Sequence, residues 1–92
     1  MEEQLIDQRM KATKLAFLLG FELDLLSQAY FGLLISKLSQ EGVIDKPLKY
    51  GKTKEYLVTT KLIEVVKTML KNPVSHNSLF EGYEECQKMK TL

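Results

Sequence analysis

From Gln40 the chain reads Gln40-Glu41-Gly42-Val43-Ile44-Asp45-Lys46-Pro47-Leu48-Lys49-Tyr50-Gly51-Lys52-Thr53-Lys54-Glu55-Tyr56-Leu57-Val58-Thr59-Thr60, and local chemistry punctuates it several times. Gly42 ends a preceding helix, because glycine takes the left-handed backbone conformation at a helix terminus without steric cost. Val43 and Ile44 make a short apolar step, and Pro47 removes the helical option that follows. Tyr50-Gly51-Lys52-Thr53 has the composition of a tight hairpin tip. On its two arms Leu48 and Tyr50 alternate with Lys49, and Tyr56 and Val58 alternate with Glu55 and Leu57, the period of a half-buried ribbon. Thr59 or Thr60 is a helix cap. Beyond it Leu62, Ile63, Val66, Met69 and Leu70 form a stripe at helical spacing, with Lys61, Glu64, Lys67 and Lys71 facing out.

Toward the N-terminus, the apolar residues from Gln4 to Leu19 recur mostly at helical spacing and predict one helix, stopped by Gly20. Its end, Ala16-Phe17-Leu18-Leu19, is apolar nearly all round and belongs in a core or a subunit interface. A second series, Leu23, Leu26, Tyr30, Leu33, Leu34 and Leu38, follows at once. It reads either as one helix from about Leu23 to Glu41 or as a short helix, a turn and a helix from Ser27, with Asp24 or Ser27 as the cap. Gly32 inside it costs about 1 kcal/mol of helix propensity relative to Ala and marks a close approach by another element. Toward the C-terminus, Asn72-Pro73 stops the third helix, Val74 to Ser78 reads as a loop, and Leu79 to Leu92 as a short final helix that frays.

Ninety-two residues suffice for one small domain and not for two hydrophobic cores. The chain is therefore expected to be a single mostly helical α+β domain over 1–92. It divides into a helical half at 1–42, a hairpin at 43–59, a helix at 60–71 and a C-terminal loop and short helix at 72–92. The formal charge of +1 hides a strong polarity. Residues 1–45 carry four basic and seven acidic side chains, residues 46–71 seven lysines against Glu55 and Glu64, and residues 72–92 two lysines against three glutamates. A cationic centre of this kind is the footprint of a phosphate-binding surface, or else a solvated lysine-rich face. The single cysteine excludes an internal disulfide and points to a reducing compartment. The acidic start is unlike a secretory signal, and no apolar run approaches the roughly 20 residues that cross a bilayer. A cytoplasmic protein with no membrane association is expected.

The span from Gln40 to Leu70 resembles the second half of a winged-helix DNA-binding domain. In that family a helix ends at a Glu-Gly-(Leu/Val)-Ile step, a basic hairpin carrying Gly-(Arg/Lys) follows, a strand closes on Tyr-x-(Leu/Val)-Thr, and a new helix begins. The resemblance implies a winged helix-turn-helix fold with one two-stranded hairpin, the wing, and here an extra C-terminal helical segment. It also implies binding of double-stranded DNA by a homodimer, as a transcriptional repressor or as the centromere-binding adaptor of a plasmid or phage segregation system.

By position, Lys46, Lys49, Lys52 and Lys54 are the wing cations. The reading helix would be the one that ends at Gly42, with Ser27, Gln28, Ala29, Phe31, Ser36, Lys37 and Ser39 as its exposed residues, and Gln28 suited to a base edge. Tyr50 and Tyr56 either stack on bases or sugars or fill the junction under the hairpin, Tyr56 being inward in the family. The stretch from Gly20 to Gly42 is longer than is usual there, and its extra length suits a dimer seam through Leu15, Leu19, Leu23, Leu26, Tyr30 and Leu33.

Catalysis finds little support in the sequence. His76 is the only histidine and lies in the Ser/Asn-rich loop; Cys86 sits beside Glu84 and Glu85, which raise a thiol pKa. The five glycines are scattered and cradle no phosphate. No enzyme activity, metal or cofactor is expected. The rival reading is a small helical protein-interaction module, an adaptor or a phage-type inhibitor of a host protein, which suits the apolar surface of residues 15–38.

Overall fold

A computed structural model describes residues 2–71 and 73–90. Its order is a 3₁₀ turn at Glu2–Leu5, β1 (Arg9–Met10), α1 (Ala12–Leu18), α2 (Leu25–Gln40), β2 (Leu48–Tyr50), β3 (Thr53–Leu57), α3 (Thr60–Met69) and α4 (His76–Gln87). The three strands form one antiparallel sheet in the order β1-β3-β2, so the fold is α+β with four helices. The stop at Asn72 and the last two residues, Thr91 and Leu92, lie outside the described residues.

The single helix expected over Gln4 to Leu19 is corrected. Asp7 takes a φ of 71°, which an Asp side chain tolerates and which interrupts a helix. Gln8, Arg9 and Met10 are drawn instead onto the edge of β3. Arg9 faces Leu57 and Met10 faces Tyr56, and the pairing is extended by Asp7 N–H to Val58 O (2.9 Å) and Val58 N–H to Gln8 O (2.8 Å). The sheet therefore has three strands where two were expected.

Both glycine stops hold. At Gly20 (φ 96°) and Gly42 (φ 82°) the chain leaves α1 and α2 through the same motif. Gly20 N–H reaches Phe17 O and Phe21 N–H reaches Ala16 O, as Gly42 N–H reaches Ser39 O and Val43 N–H reaches Leu38 O. Such paired bonds satisfy the last carbonyls of each helix and turn the chain sharply.

Of the two readings of the second apolar series, the structure takes the long helix, opened by Asp24, whose carboxylate accepts from Ser27 N–H at 2.7 Å. Thr59 caps α3 through Leu62 N–H. At α4 the expected loop over Val74 to Ser78 is corrected. Ser75 and Ser78 bond each other's backbone N–H groups reciprocally, and this capping box starts the helix at His76.

The core is built from Leu15 and Ala16 of α1, Phe31, Ile35 and Leu38 of α2, Tyr56 and Val58 from the end of the hairpin, Val65, Val66 and Met69 of α3, and Leu79 and Cys86 of α4. Leu15 is fully buried in it, so it belongs to no subunit seam.

Helix α4 is locked at two points. At Gly82 an added Cβ would lie 2.5 Å from the Met69 Cα and 2.8 Å from the Thr68 carbonyl oxygen, so α3 and α4 touch backbone to backbone. Nearer its C-terminus, the Tyr83 hydroxyl donates to Glu41 Oε2 at 2.6 Å while Gln87 Nε2 donates to Glu41 Oε1 at 3.0 Å, clasping the end of α2. The hydrogen bond from Tyr83 holds the Glu41 carboxyl below its usual value. Burial and the neighbouring carboxylate push the Tyr83 phenol up to about 12.

Two outcomes follow for stability. Gly82→Ala should cost about 1–3 kcal/mol, roughly a 10 °C loss in melting temperature, because neither backbone contact yields. Gly32→Ala, with nothing within 4 Å of its added Cβ, should stabilise by about 1 kcal/mol. Equal melting shifts for the two variants would refute this contrast. Because the folded state favours ionised Glu41, the clasp contributes fully above the unfolded value of 4.5 and is lost as pH falls through the lower folded value. It also weakens as pH rises from 10 toward 12, where Tyr83 ionises. Thermal melts of the parent and Glu41→Gln across pH should converge at the acid end; curves that stay parallel would remove the clasp from the account.

Candidate nucleic-acid interface

Strand β3 is the middle of the sheet, its first part, Thr53–Glu55, paired with β2 and its last part, Tyr56–Leu57, paired with β1. The register Leu48↔Glu55, Lys49↔Lys54 and Tyr50↔Thr53 leaves Gly51 and Lys52 as a two-residue turn. Gly51 takes a φ of 61°, the arrangement of a two-residue hairpin with glycine first. All three residues of β2 are exposed, as are Gly51 and Lys52 of the turn.

Lys46, Lys49 and Lys52 are exposed along the hairpin, and Tyr50 beside the tip is 58% exposed, so it does not fill the junction. Tyr56 does. Burial raises its phenol pKa, with the Ser36 and Ser39 hydroxyls acting against that shift. Lys54 is tied down, its Nζ donating to Ser36 Oγ at 2.7 Å, which fastens β3 to α2. Among the described residues the ion pairs are Lys67–Glu2 and Lys71–Glu85, and the hairpin lysines pair with no carboxylate.

The β1–β3 pairing adds a residue that sequence reasoning missed. It sets Lys11, at the start of α1, across from the hairpin. Lys11, Lys52 and Lys54 line one surface cavity of about 260 Å³ together with Gly32 and Tyr56, and no acidic side chain lines it. Lys11 carried no local signal, because the strand that positions it is hidden in a helix-like apolar pattern. The close approach expected at Gly32 is corrected: nothing lies within 4 Å of an added Cβ there, and Gly32 borders the open cavity instead.

The expected reading face of α2 is corrected. Ser27 is buried at the helix start, and Phe31, Ser36 and Ser39 are also buried. The Gln28 side chain is half-buried and donates to the Leu23 carbonyl at 2.9 Å. What α2 turns outward is Leu25, Leu26, Ala29, Leu33, Lys37 and Gln40, a mostly apolar ridge. Of the expected seam, Leu26 and Leu33 are exposed on this ridge. Leu19, Leu23 and Tyr30 are half-buried against the core, and the Tyr30 ring stacks on His76 with centroids 4.6 Å apart.

No family model matches the sequence, and neither does any curated protein or solved structure. Among the described residues no helix is long and apolar enough to cross a membrane.

Cys86 is fully buried, its Sγ 3.6 Å from the Val65 carbonyl, and burial with the nearby Glu85 charge pushes the thiol up to about 11. Iodoacetamide at neutral pH should therefore leave the native thiol unmodified and label it after unfolding. Rapid labelling of folded protein would contradict this packing.

Proposed function

We propose that this chain binds double-stranded DNA as a homodimer, in the manner of a winged-helix protein whose hairpin and adjoining lysine cavity grip the phosphate backbone. The observation that carries the reading is the gathering of Lys11, Lys52 and Lys54, from separate segments, around one concave surface free of acidic side chains. Exposed Lys46 and Lys49 extend that charge along the hairpin. The succession of helix end, basic antiparallel arms and a capped new helix supports the same reading.

Contacts of this kind position a protein on the duplex without reading bases. The outward face of α2 offers Lys37 and Gln40 among apolar side chains, so α2 contributes little base readout. The exposed Tyr50 ring, next to the hairpin tip, is the group suited to stack on a sugar or base. Recognition then rests mainly on charge and shape, a mode that serves repression and DNA segregation equally.

A second reading, a protein-interaction module without nucleic acid, is favoured by the exposed apolar residues Leu26, Leu33 and Phe80. Salt separates the two. Each phosphate neutralised by a lysine releases condensed counterions, so affinity for a random duplex should fall steeply with salt. Changing Lys11, Lys49 and Lys52 together to Glu should abolish most binding. The corresponding triple change to Gln should lower the slope of log affinity against log salt by about 2 to 3 for each subunit on the duplex. Lys54 is left in place because it holds Ser36. A parent that ignores duplex DNA at low salt, or triple variants that bind as the parent does, would overturn the reading.

A further inference from the structure

The lysine cavity lies where β3 runs out of a partner. Continuing the β1–β3 register past Met10↔Tyr56 would set Ala12 opposite Lys54 and Thr13 opposite Thr53, but Ala12 opens α1 and the chain leaves the sheet. The gap so left is lined by Lys11 and Thr13 from the α1 side, Lys52, Thr53 and Lys54 from the hairpin, and Gly32 of α2. Backbone alternation adds a donor to it. Val58 bonds Asp7 and Gln8 through its own carbonyl and N–H, so the backbone groups of Val58, Tyr56 and Lys54, two residues apart, face the β1 side. Residues 7–10 meet the first two, and α1 then begins. Among the described residues the Lys54 N–H is thus left without a strand partner, on the side where Lys11 and Thr13 stand.

We propose that this cavity is a site for a compact diphosphate group, which competes there with the DNA backbone. The competition rests on the DNA reading above; the site itself does not. Charge argues for an anion richer than a backbone phosphate. Three lysines lining one concavity repel one another, and no carboxylate lines it to relieve them. A phosphodiester brings about one negative charge, a terminal phosphate about two, and a diphosphate more. Lys54 uses one of its three ammonium donors on Ser36 and keeps two. The Lys54 N–H and the Thr13 and Thr53 hydroxyls offer neutral donors to the remaining oxygens.

Size points the same way. At about 260 Å³ the cavity falls below the roughly 300–1,000 Å³ of sites that enclose drug-sized ligands, so a diphosphate fits while a nucleoside attached to it stays outside. Inorganic pyrophosphate and the diphosphate of a nucleotide therefore present the same group to it. Gly32 makes the volume testable without touching charge. It lies within a helix, nothing stands within 4 Å of an added Cβ, and a longer side chain there would occupy the cavity.

Amide NMR at fixed ionic strength tests the site. Pyrophosphate should shift the Lys54 amide resonance to saturation and bind at least roughly tenfold tighter than sulfate. Lys11→Gln and Lys52→Gln should each weaken it by roughly tenfold, while Lys88→Gln, the same charge change on α4, should bind as the parent does. Gly32→Met, shown folded by circular dichroism, should lose pyrophosphate. Pyrophosphate no tighter than sulfate, or binding that survives Gly32→Met, would overturn the site in favour of diffuse attraction. ADP that matches pyrophosphate supports a free diphosphate as the ligand, and ADP that binds much tighter supports a nucleotide; adenosine that binds as well as ADP would overturn both. Release of a labelled duplex by pyrophosphate is measured separately. A protein that never binds duplex but loses pyrophosphate through Gly32→Met would sink the DNA reading and keep the site, and one that binds duplex but not pyrophosphate would do the reverse. Bound pyrophosphate that leaves the duplex in place would overturn the competition.

Discussion

The antiparallel contact between residues 7–10 and 56–58 is the constraint on which the rest of the molecule depends. It closes a long loop of chain with a few backbone hydrogen bonds, which by themselves do not offset the lost chain entropy. The burial of Met10, Tyr56 and Val58 along the same contact supplies the remainder. Once closed, the contact anchors the Tyr56–Leu57 end of β3, and β2 pairs with the other end, Thr53–Glu55. It also brings Lys11 to the hairpin. Without that closure, the hairpin lysines would be an ordinary solvated arm, and no cavity would exist for them to line.

Helix α2 divides its circumference among four tasks. Phe31, Ile35 and Leu38 enter the core. Ser36 and Ser39 underlie the hairpin, with Lys54 bonded across to Ser36. Tyr30 and Glu41 meet α4 through the ring stack and the clasp on Tyr83 and Gln87. Only the ridge is left. A helix surrounded so closely on three sides keeps its exposed strip for anything else, and this strip is apolar at Leu25, Leu26 and Leu33. The charge proposed to meet a polyanion lies on the hairpin flank.

Helix α4 has no counterpart in the resemblance drawn from residues 40–70, yet it decides how firmly α2 is held. Its contact at Gly82 sets the α3–α4 distance at backbone closeness, and its polar clasp fixes the last turn of α2 just before the chain turns at Gly42. The hairpin leaves the body a few residues later.

Local chemistry was enough to specify much of this. Gly20 and Gly42 mark helix ends because a left-handed residue is required there, and Gly51 marks the hairpin tip. Thr59 is a cap because its side chain reaches a free amide, and the alternation of Tyr56 and Val58 with Glu55 and Leu57 needs nothing beyond the two-residue period of a strand. Those features act over a few residues, so they are legible in order along the chain. The tertiary structure alone decided that Arg9–Met10 is a strand, since its apolar spacing suits a helix equally and only a partner edge 48 residues away, at Arg9↔Leu57, resolves the choice. It alone decided that Ser27, Phe31 and Ser36 turn inward while Leu26 and Leu33 turn outward. A helical pattern that is apolar on most sides does not say which side the core will take, and the neighbours that take it arrive from β3 and α4.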